Sequence, residues 1–155
     1  MTYVKTFLFL ILAPGMVAGF IPLAWLRSGP HIEMGVVSYL ALAPWAAGGL
    51  TLLWCFWDFA QKGRGTPAPI DPPKELVVSG LYRYVRNPMY VGIFLIVIGH
   101  FLWFGYWNLL AYALFLLILF HLFVTLYEEP NLRNRFGPAY AEYLGAVPRW
   151  IPRIR

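Results

Sequence analysis

The chain has 155 residues, of which 60% are hydrophobic and only 12% are charged. Soluble domains carry about a quarter charged residues, so this composition excludes an ordinary soluble domain and indicates one membrane-embedded domain, 1–155. The net charge of +5 is modest, and the single cysteine, Cys55, excludes an internal disulfide framework. We expect no nucleic-acid partner.

The apolar segments predict an all-α integral membrane protein with four transmembrane helices, at about 6–26, 35–57, 88–104 and 107–127. No Asp, Glu, Lys or Arg occurs between Asn87 and Tyr127. That run is too long for one crossing of a ~30 Å bilayer core and suits two helices that turn around Gly105. The third helix is short, which favours a tilted or partly embedded segment.

The first predicted span contains Pro14 and Pro22. A proline inside a helix removes one backbone N–H and leaves a carbonyl without its usual donor. We therefore expect a kink or a break there, and neighbouring helices that cover the freed carbonyls.

The basic residues predict the orientation. One side of the four-span arrangement holds only Arg27, and the other holds Lys5, Lys62, Arg64, Lys74, Arg83, Arg86, Arg133, Arg135, Arg149, Arg153 and Arg155. The positive-inside rule then places both termini, the long loop 58–86 and the tail 128–155 in the cytoplasm. We expect the membrane to be a bacterial cytoplasmic membrane.

The tail is predicted to form short interfacial helices with a break at Gly137-Pro138. Its larger apolar side chains fall on one helical face: Leu132, Phe136, Tyr140, Tyr143 and Leu144. Such a face is typical of helices that lie on the membrane surface.

Chemically versatile side chains gather in two short segments, 82–90 and 127–135, which flank the last two predicted spans. An antiparallel hairpin brings these segments together at the cytoplasmic mouth. We therefore expect a cleft lined by Arg83, Arg86, Asn87 and Tyr90 on one side and by Tyr127, Glu128 and Glu129 on the other. Arginine forks suit a carboxylate, acidic side chains suit ammonium groups or ribose hydroxyls, and tyrosine faces suit a cation or an adenine ring. S-adenosylmethionine has all of these groups, and many nucleotides share some of them.

The segments "LVVSGLYRYVRNPMYVG" and "LYEEPNLRNRFGPAYAEYLGAVPRWIP" resemble the integral-membrane methyltransferases. This superfamily includes isoprenylcysteine carboxyl methyltransferases and phospholipid methyltransferases, and the resemblance covers 63–152. It implies an S-adenosylmethionine site built from the last two spans and the tail. It also implies a methyl acceptor that is lipid-like or a small apolar molecule, with a carboxylate, thiol or amine as the methylated group.

The resemblance assigns residues to this site. The implied cofactor-binding residues are Tyr82, Arg86, Asn87, Pro88, Tyr90, Tyr127, Glu128 and Glu129. Arg86 and Glu129 are the candidates for a catalytic role, and no dedicated base is evident. The isoprenylcysteine branch usually has histidine at the position of Asn87. The phospholipid branch has asparagine there, as this chain does. The Gly-x-Gly-Thr-Pro loop of the family is similar to Gly63–Pro67.

Simpler interpretations remain open for the same residues. Arg83 and Arg86 either bind a cofactor carboxylate or anchor the chain to lipid phosphate. Glu128 and Glu129 either bind a ligand or pair with Arg133 or Arg135. Asn87 and Pro88 either contact the cofactor or only begin the third helix, with Asn87 as its cap.

Arg149 and, more weakly, His121 are candidates for acceptor binding, whereas His100 is expected at the outer interface. We expect no metal ion, because no Cys, Asp or Glu lies at ligand spacing from His100 and His121. The rival functions are a small four-helix transporter and a non-enzymatic membrane assembly protein. A transporter would be expected to carry an ionisable residue within a span, and apart from the histidines the spans carry none.

Overall fold

The computed structural model describes residues 12–25, 29–59, 61 and 75–153. In this part of the chain the regular structure is helical, which confirms the all-α part of the predicted fold class. The helices are α1 (Leu12–Ala24), α2 (Gly35–Asp58), α3 (Pro88–Phe104), α4 (Trp107–Phe136) and α5 (Pro138–Ala146). The predicted Gly63–Pro67 loop lies outside the described residues.

Two of the described helices, α2 and α4, are long and apolar enough to cross a membrane, whereas α1 and α3 are shorter apolar helices. The first seven residues of α2, Gly35–Ala41, form a 3-10 helix. The bounds of α3 coincide with those of the predicted third span. α4 begins where the fourth span was predicted to begin, but it continues to Phe136 without a separate interfacial helix over 129–136. That four helices cross the bilayer stays a prediction.

α1 contains a π-helical turn at Met16–Phe20, where the N–H of Ile21 donates to the carbonyl of Met16. The carbonyl of Val17 loses its usual helical donor because Ile21 donates to Met16 instead, and the carbonyl of Ala18 loses its donor because Pro22 has no N–H. Side chains of α3 and α4 replace these donors: the hydroxyl of Tyr112 donates to Val17 O at 2.8 Å, and Nε2 of His100 lies 2.9 Å from Ala18 O. The expectation that neighbouring helices cover the freed carbonyls is confirmed.

His100 is buried in the protein, and its depth at the outer interface stays a prediction. Its Nδ1 accepts a 3.0 Å hydrogen bond from Nε1 of Trp45, which leaves the proton of the neutral ring on Nε2. That proton is the donor to Ala18 O. Burial of the His100 ring is favourable because its N–H donates to the Ala18 carbonyl, which would otherwise lack a hydrogen-bond donor in apolar surroundings.

α2 and α3 cross at two glycines. A Cβ atom on Gly48 would lie 2.6 Å from the carbonyl oxygen of Gly92, and one on Gly92 would lie 3.1 Å from that of Gly48. The small residues let the two backbones touch, as in other membrane helix pairs. Around this contact lies the core, formed by Ala18, Leu52, Phe56, Ile93, Val97, Tyr112, Ala113 and Leu116.

The predicted turn between the last two long helices is confirmed. α3 ends at Gly105, which adopts a left-handed conformation with φ 71°. The Gly105 carbonyl accepts a hydrogen bond from the N–H of Ile32 at 3.0 Å, and the N–H of Trp107 donates to Pro30 O at 3.2 Å. The α3–α4 hairpin is therefore fastened to the loop before α2, and its opposite end brings the start of α3 beside the end of α4.

Candidate functional site

A second π-helical turn, Val124–Glu128, carries the acidic pair. The N–H of Glu129 donates to Val124 O, and the helix continues through Pro130. A π turn adds one residue to a helical turn and thereby rotates the residues that follow it. Both Glu128 and Glu129 reach side chains at the start of α3, as the hairpin prediction required.

The deeper contact joins α3 and α4 through Tyr90 and Glu128. The hydroxyl of Tyr90 donates to Oε2 of Glu128 at 2.9 Å. Tyr90 also packs on Phe120, with ring centroids 4.6 Å apart. The phenol thus fixes the direction of the Glu128 carboxylate at the mouth.

Glu129 forms a charged triad with two arginines from different parts of the chain. Its Oε1 accepts hydrogen bonds from Nη1 of Arg86 at 2.9 Å and from Nε of Arg149 at 2.7 Å, and its Oε2 accepts one from Nη2 of Arg149 at 3.0 Å. The Glu129 and Arg86 side chains are only 14% and 11% exposed. The hydrogen bond to Glu129 also raises the pKa of Arg149. The alternative that Arg133 or Arg135 pairs with Glu129 is not what the structure shows.

The segment 148–153 passes over the start of α3 and is held there by main-chain contacts. Pro148 O accepts from the N–H of Arg86 at 2.9 Å, and the N–H of Arg153 donates to Tyr84 O at 3.1 Å. Asn87 occupies the position before α3 but makes no side-chain capping bond. Its Nδ2 instead donates to Arg149 O at 3.1 Å. Asn87 is therefore the N-cap residue of α3 by position, as predicted, but its side chain does not cap the helix, and Pro88 lies in the first turn.

Two tyrosines of α5 belong to the same region, and sequence reasoning missed them. Tyr143 donates its hydroxyl to Tyr82 O at 2.7 Å. Tyr140 is buried beside Arg86, and burial raises its pKa to about 12. Burial also raises the pKa of Tyr143. Their only signal in the sequence was the one-sided pattern of the tail, which we attributed to a lipid-facing surface.

Three predicted residues lie away from the triad. Tyr127 is 52% exposed, and its ring packs on Phe123. Arg83 is exposed on the 3-10 turn Gly80–Arg83. Tyr82 is buried against Cys55 and Val77, towards α2. Cofactor roles for Tyr82 and Tyr127 stay predictions.

An aromatic flank adjoins the Tyr90–Glu128 pair. Nε1 of Trp150 donates to Nδ1 of His121 at 3.2 Å, and the ring of Trp150 stands edge-on to Tyr90 at 6.4 Å. His121 itself is exposed. Within 12–25, 29–59, 61 and 75–153 there is no group of three or more His, Cys, Asp or Glu side chains that could hold a metal ion.

A family model described as phospholipid methyltransferase matches residues 36–139, two thirds of the chain. The chain belongs to the phospholipid methyltransferase family.

A relative from the isoprenylcysteine branch is also similar to the chain. The protein-S-isoprenylcysteine O-methyltransferase of Schizosaccharomyces pombe is 40% identical to it over 82 residues. The alignment covers 51% of the chain but only 34% of the yeast protein, so the chain matches about a third of that relative's length. The resemblance to the isoprenylcysteine and phospholipid methyltransferase superfamily is thereby confirmed. The segment matched by the family model contains α3 and α4, the two helices that build the mouth, and all of α2 except Gly35.

Proposed function

We propose that this family member is an S-adenosylmethionine-dependent methyltransferase that acts within the membrane. The observation that carries the proposal is the convergence of Arg86, Arg149, Glu128 and Glu129 at one mouth, from α3, α4 and the tail. Acidic and basic groups in one small site match a zwitterionic ligand. The amino-acid end of S-adenosylmethionine is such a group.

The donor set of the mouth fits that end of the cofactor. Nε of Arg86 is buried and has no hydrogen-bond partner among the described residues, so it is available to a carboxylate. Both oxygens of Glu129 are already used by arginines, whereas Glu128 accepts from Tyr90 through Oε2. We therefore assign the ammonium or the ribose hydroxyls to Glu128, and to Glu129 the task of positioning Arg86 and Arg149.

When bound, S-adenosylmethionine supplies a methyl group already activated by its positive sulfur. The chain's own residues need only hold both reactants in line and keep water out. Carboxylates should not bind the sulfur itself, because its charge is lost in the transition state and tight binding of that charge would slow the reaction. Segment 148–153 is fastened over the start of α3, and we assign to it the task of shielding the mouth from water. A carboxylate or thiolate acceptor needs no base in this step, and an amine must arrive neutral.

The acceptor is proposed to be lipid-like or a small apolar molecule. α2 and α4 present apolar surfaces to their surroundings, and the mouth lies where α4 passes from apolar to polar sequence. An acceptor dissolved in the bilayer can approach between helices while the polar cofactor arrives from the aqueous side. The rival functions, transport and assembly, have no comparable observation in their favour.

Binding of S-adenosylmethionine to the detergent-purified protein, measured by calorimetry, tests the proposal. We expect saturable binding that Arg86→Ala and Glu128→Gln each weaken at least tenfold, or by ~1.4 kcal/mol. Arg133→Ala is the matched control, because Arg133 is exposed on the same stretch of α4 and lies outside the triad. Absence of binding to folded wild-type protein, with and without added lipid extract, would reject the proposal.

We also propose that α1 to α4 each cross the membrane, with the 58–86 loop and both ends in the cytoplasm. That this membrane is a bacterial cytoplasmic membrane stays a prediction. Cys55 is the single cysteine, so Cys55→Ala gives a background for single-cysteine labelling with an impermeant maleimide. Cysteines introduced at Arg64 and Arg153 should be labelled from the cytoplasmic side only, and one introduced at Glu33 from the other side only. Labelling of Arg64 and Glu33 positions from the same side would refute this arrangement.

A further inference from the structure

The exposed pair His121–Trp150 has a fixed proton arrangement. An indole Nε1–H can only donate, so the Nδ1 of His121 that receives its 3.2 Å hydrogen bond carries no proton. In the neutral ring the proton is then on Nε2. His121 therefore presents an N–H donor on the side that faces away from Trp150, and it is not free to act as a base through Nδ1.

This donor is placed at the apolar edge of the mouth. His121 lies seven residues before Glu128 on α4, on the membrane side of the acidic pair. The rings are continuous from there to the site: His121 is 6.2 Å from Trp150, and Trp150 is 6.4 Å from Tyr90, whose hydroxyl binds Glu128. Two rings, Trp150 and Tyr90, thus connect His121 to the cluster assigned to the cofactor.

Its surroundings select the class of ligand. Exposed neighbours of His121 on α4 are apolar: Leu117, Ile118, Leu122 and Phe123. An N–H donor among side chains of this kind has a strong need for an acceptor, because hydrocarbon offers none. The matching partner is an oxygen-rich group on a molecule with an apolar chain.

We propose that the His121–Trp150 pair is a binding subsite for a carboxylate or phosphate group carried by the membrane-dissolved methyl acceptor. Naming the ligand as the methyl acceptor rests on the proposed function, whereas the binding of such a group does not. His121 acts as a specificity-determining donor. Trp150 acts as a positioning residue that fixes the tautomer of His121.

Nitrogen-15 spectra of histidine-labelled protein in dodecyl maltoside micelles test both parts. The chain has three histidines, and loss of a signal in His121→Gln assigns the one of interest. At alkaline pH we expect His121 in the Nε2–H form, and a mixture of both tautomers in Trp150→Phe. A wild-type His121 in the Nδ1–H form would overturn the assignment.

The same spectra are then followed during titration with named probes. Dodecyl phosphate and dodecanoate should shift the His121 signals saturably, whereas dodecylammonium and inorganic phosphate should not. An equal effect of dodecylammonium would refute an oxygen-selective site, and an equal effect of inorganic phosphate would refute a membrane-borne ligand.

A variant series gives an independent readout through the indole signal of Trp150 in tryptophan-labelled protein, assigned by its loss in Trp150→Phe. His121→Leu should weaken dodecyl phosphate binding at least tenfold. His121→Gln should weaken it less, because its amide can still donate near the Nε2 position. Unchanged binding in His121→Leu would overturn the proposal. S-adenosylmethionine is absent throughout, so a failure of cofactor binding and a failure of this subsite are separate results.

Discussion

The α1 and α4 helices contain the same irregularity in the same register. Each has a π turn, Met16–Phe20 in α1 and Val124–Glu128 in α4. In each, the residue after the turn donates its N–H to the carbonyl five residues earlier, and a proline follows at once, Pro22 or Pro130. Two carbonyls per helix lose their usual donors in this way.

The two helices use that irregularity differently. In α1 the freed carbonyls, Val17 and Ala18, are covered by Tyr112 and His100, both neutral side chains from neighbouring helices. In α4 the last residue of the turn and the residue after it are Glu128 and Glu129, whose carboxylates are bound by Tyr90 and by arginines, respectively. The apolar surroundings of α1 favour uncharged hydrogen bonds between side chain and backbone, whereas the C-terminal part of α4 carries charged side chains. The backbone irregularity alone therefore does not identify a functional site; the charge gathered at its exit does.

The largest expected effect on stability comes from the charged triad that Glu129 of α4 forms with two arginines. Glu129→Ala leaves the two arginines without their shared carboxylate, and removal of one partner from a buried ion pair costs about 3 kcal/mol or more. The free energy of unfolding should fall by about that much in chemical denaturation of the protein in micelles.

Glu142→Ala is the matched control, because Glu142 is exposed on α5. It should change the free energy of unfolding by less than ~0.5 kcal/mol. Equal losses in the two variants would show that the triad contributes no more than an ordinary surface charge, and the contrast between α1 and α4 would disappear.

A smaller effect on stability is expected at the uncharged contacts of α1. His100→Phe removes the hydrogen-bond partners of Ala18 O and of Trp45 Nε1. Hydrogen bonds between membrane helices contribute about 0.6 kcal/mol each on average, so the loss should be about 1–2 kcal/mol. Pro22→Ala restores an N–H four residues after Ala18 and should reduce that loss. A double-mutant cycle of these two changes, measured by thermal unfolding, reports the coupling.

The double-mutant cycle also distinguishes two possible roles of the His100 side chain. If the ring only fills space, the two substitutions should be additive within ~0.5 kcal/mol. If it replaces the donor that Pro22 lacks, Pro22→Ala should cost less, or even stabilise, in the His100→Phe background. Additivity would therefore contradict the assignment of His100 to the freed carbonyl.

The mouth of the site was predictable because its two segments flank a hairpin. The uncharged run of 87–127 and the glycine at its centre require antiparallel helices, and antiparallel helices bring Arg86 and Tyr90 beside the acidic pair. The need for donors to the freed carbonyls of α1 was also predictable, since Pro22 cannot donate. Both conclusions depend on local chemistry and chain connectivity alone.

The remaining contacts depend on tertiary packing that the sequence pattern does not encode. Arg149 reaches Glu129 because segment 148–153 is fixed by main-chain hydrogen bonds, which have no side-chain signature. Tyr140 and Tyr143 lie on one face of α5, and the same pattern is typical of a helix packed on protein or on lipid. The predicted break before α5 is confirmed at Gly137, with φ 54°, but the direction of the helix after it could not be deduced.

The smallest expected effect isolates one hydrogen bond of α1. Tyr112→Phe removes the hydroxyl that donates to Val17 O and preserves the ring in the core. The expected loss is about 0.6 kcal/mol, a shift of a few degrees at most in thermal unfolding. Tyr39→Phe is the control, because Tyr39 is 63% exposed and removal of its hydroxyl should leave the midpoint unchanged. In the Pro22→Ala background the Tyr112→Phe loss should persist, since the restored N–H faces Ala18 O and not Val17 O. Disappearance of that loss would mean that α1 returns to a regular α-helix when Pro22 is replaced, and that the proline, rather than the side chains of the neighbouring helices, maintains the π turn.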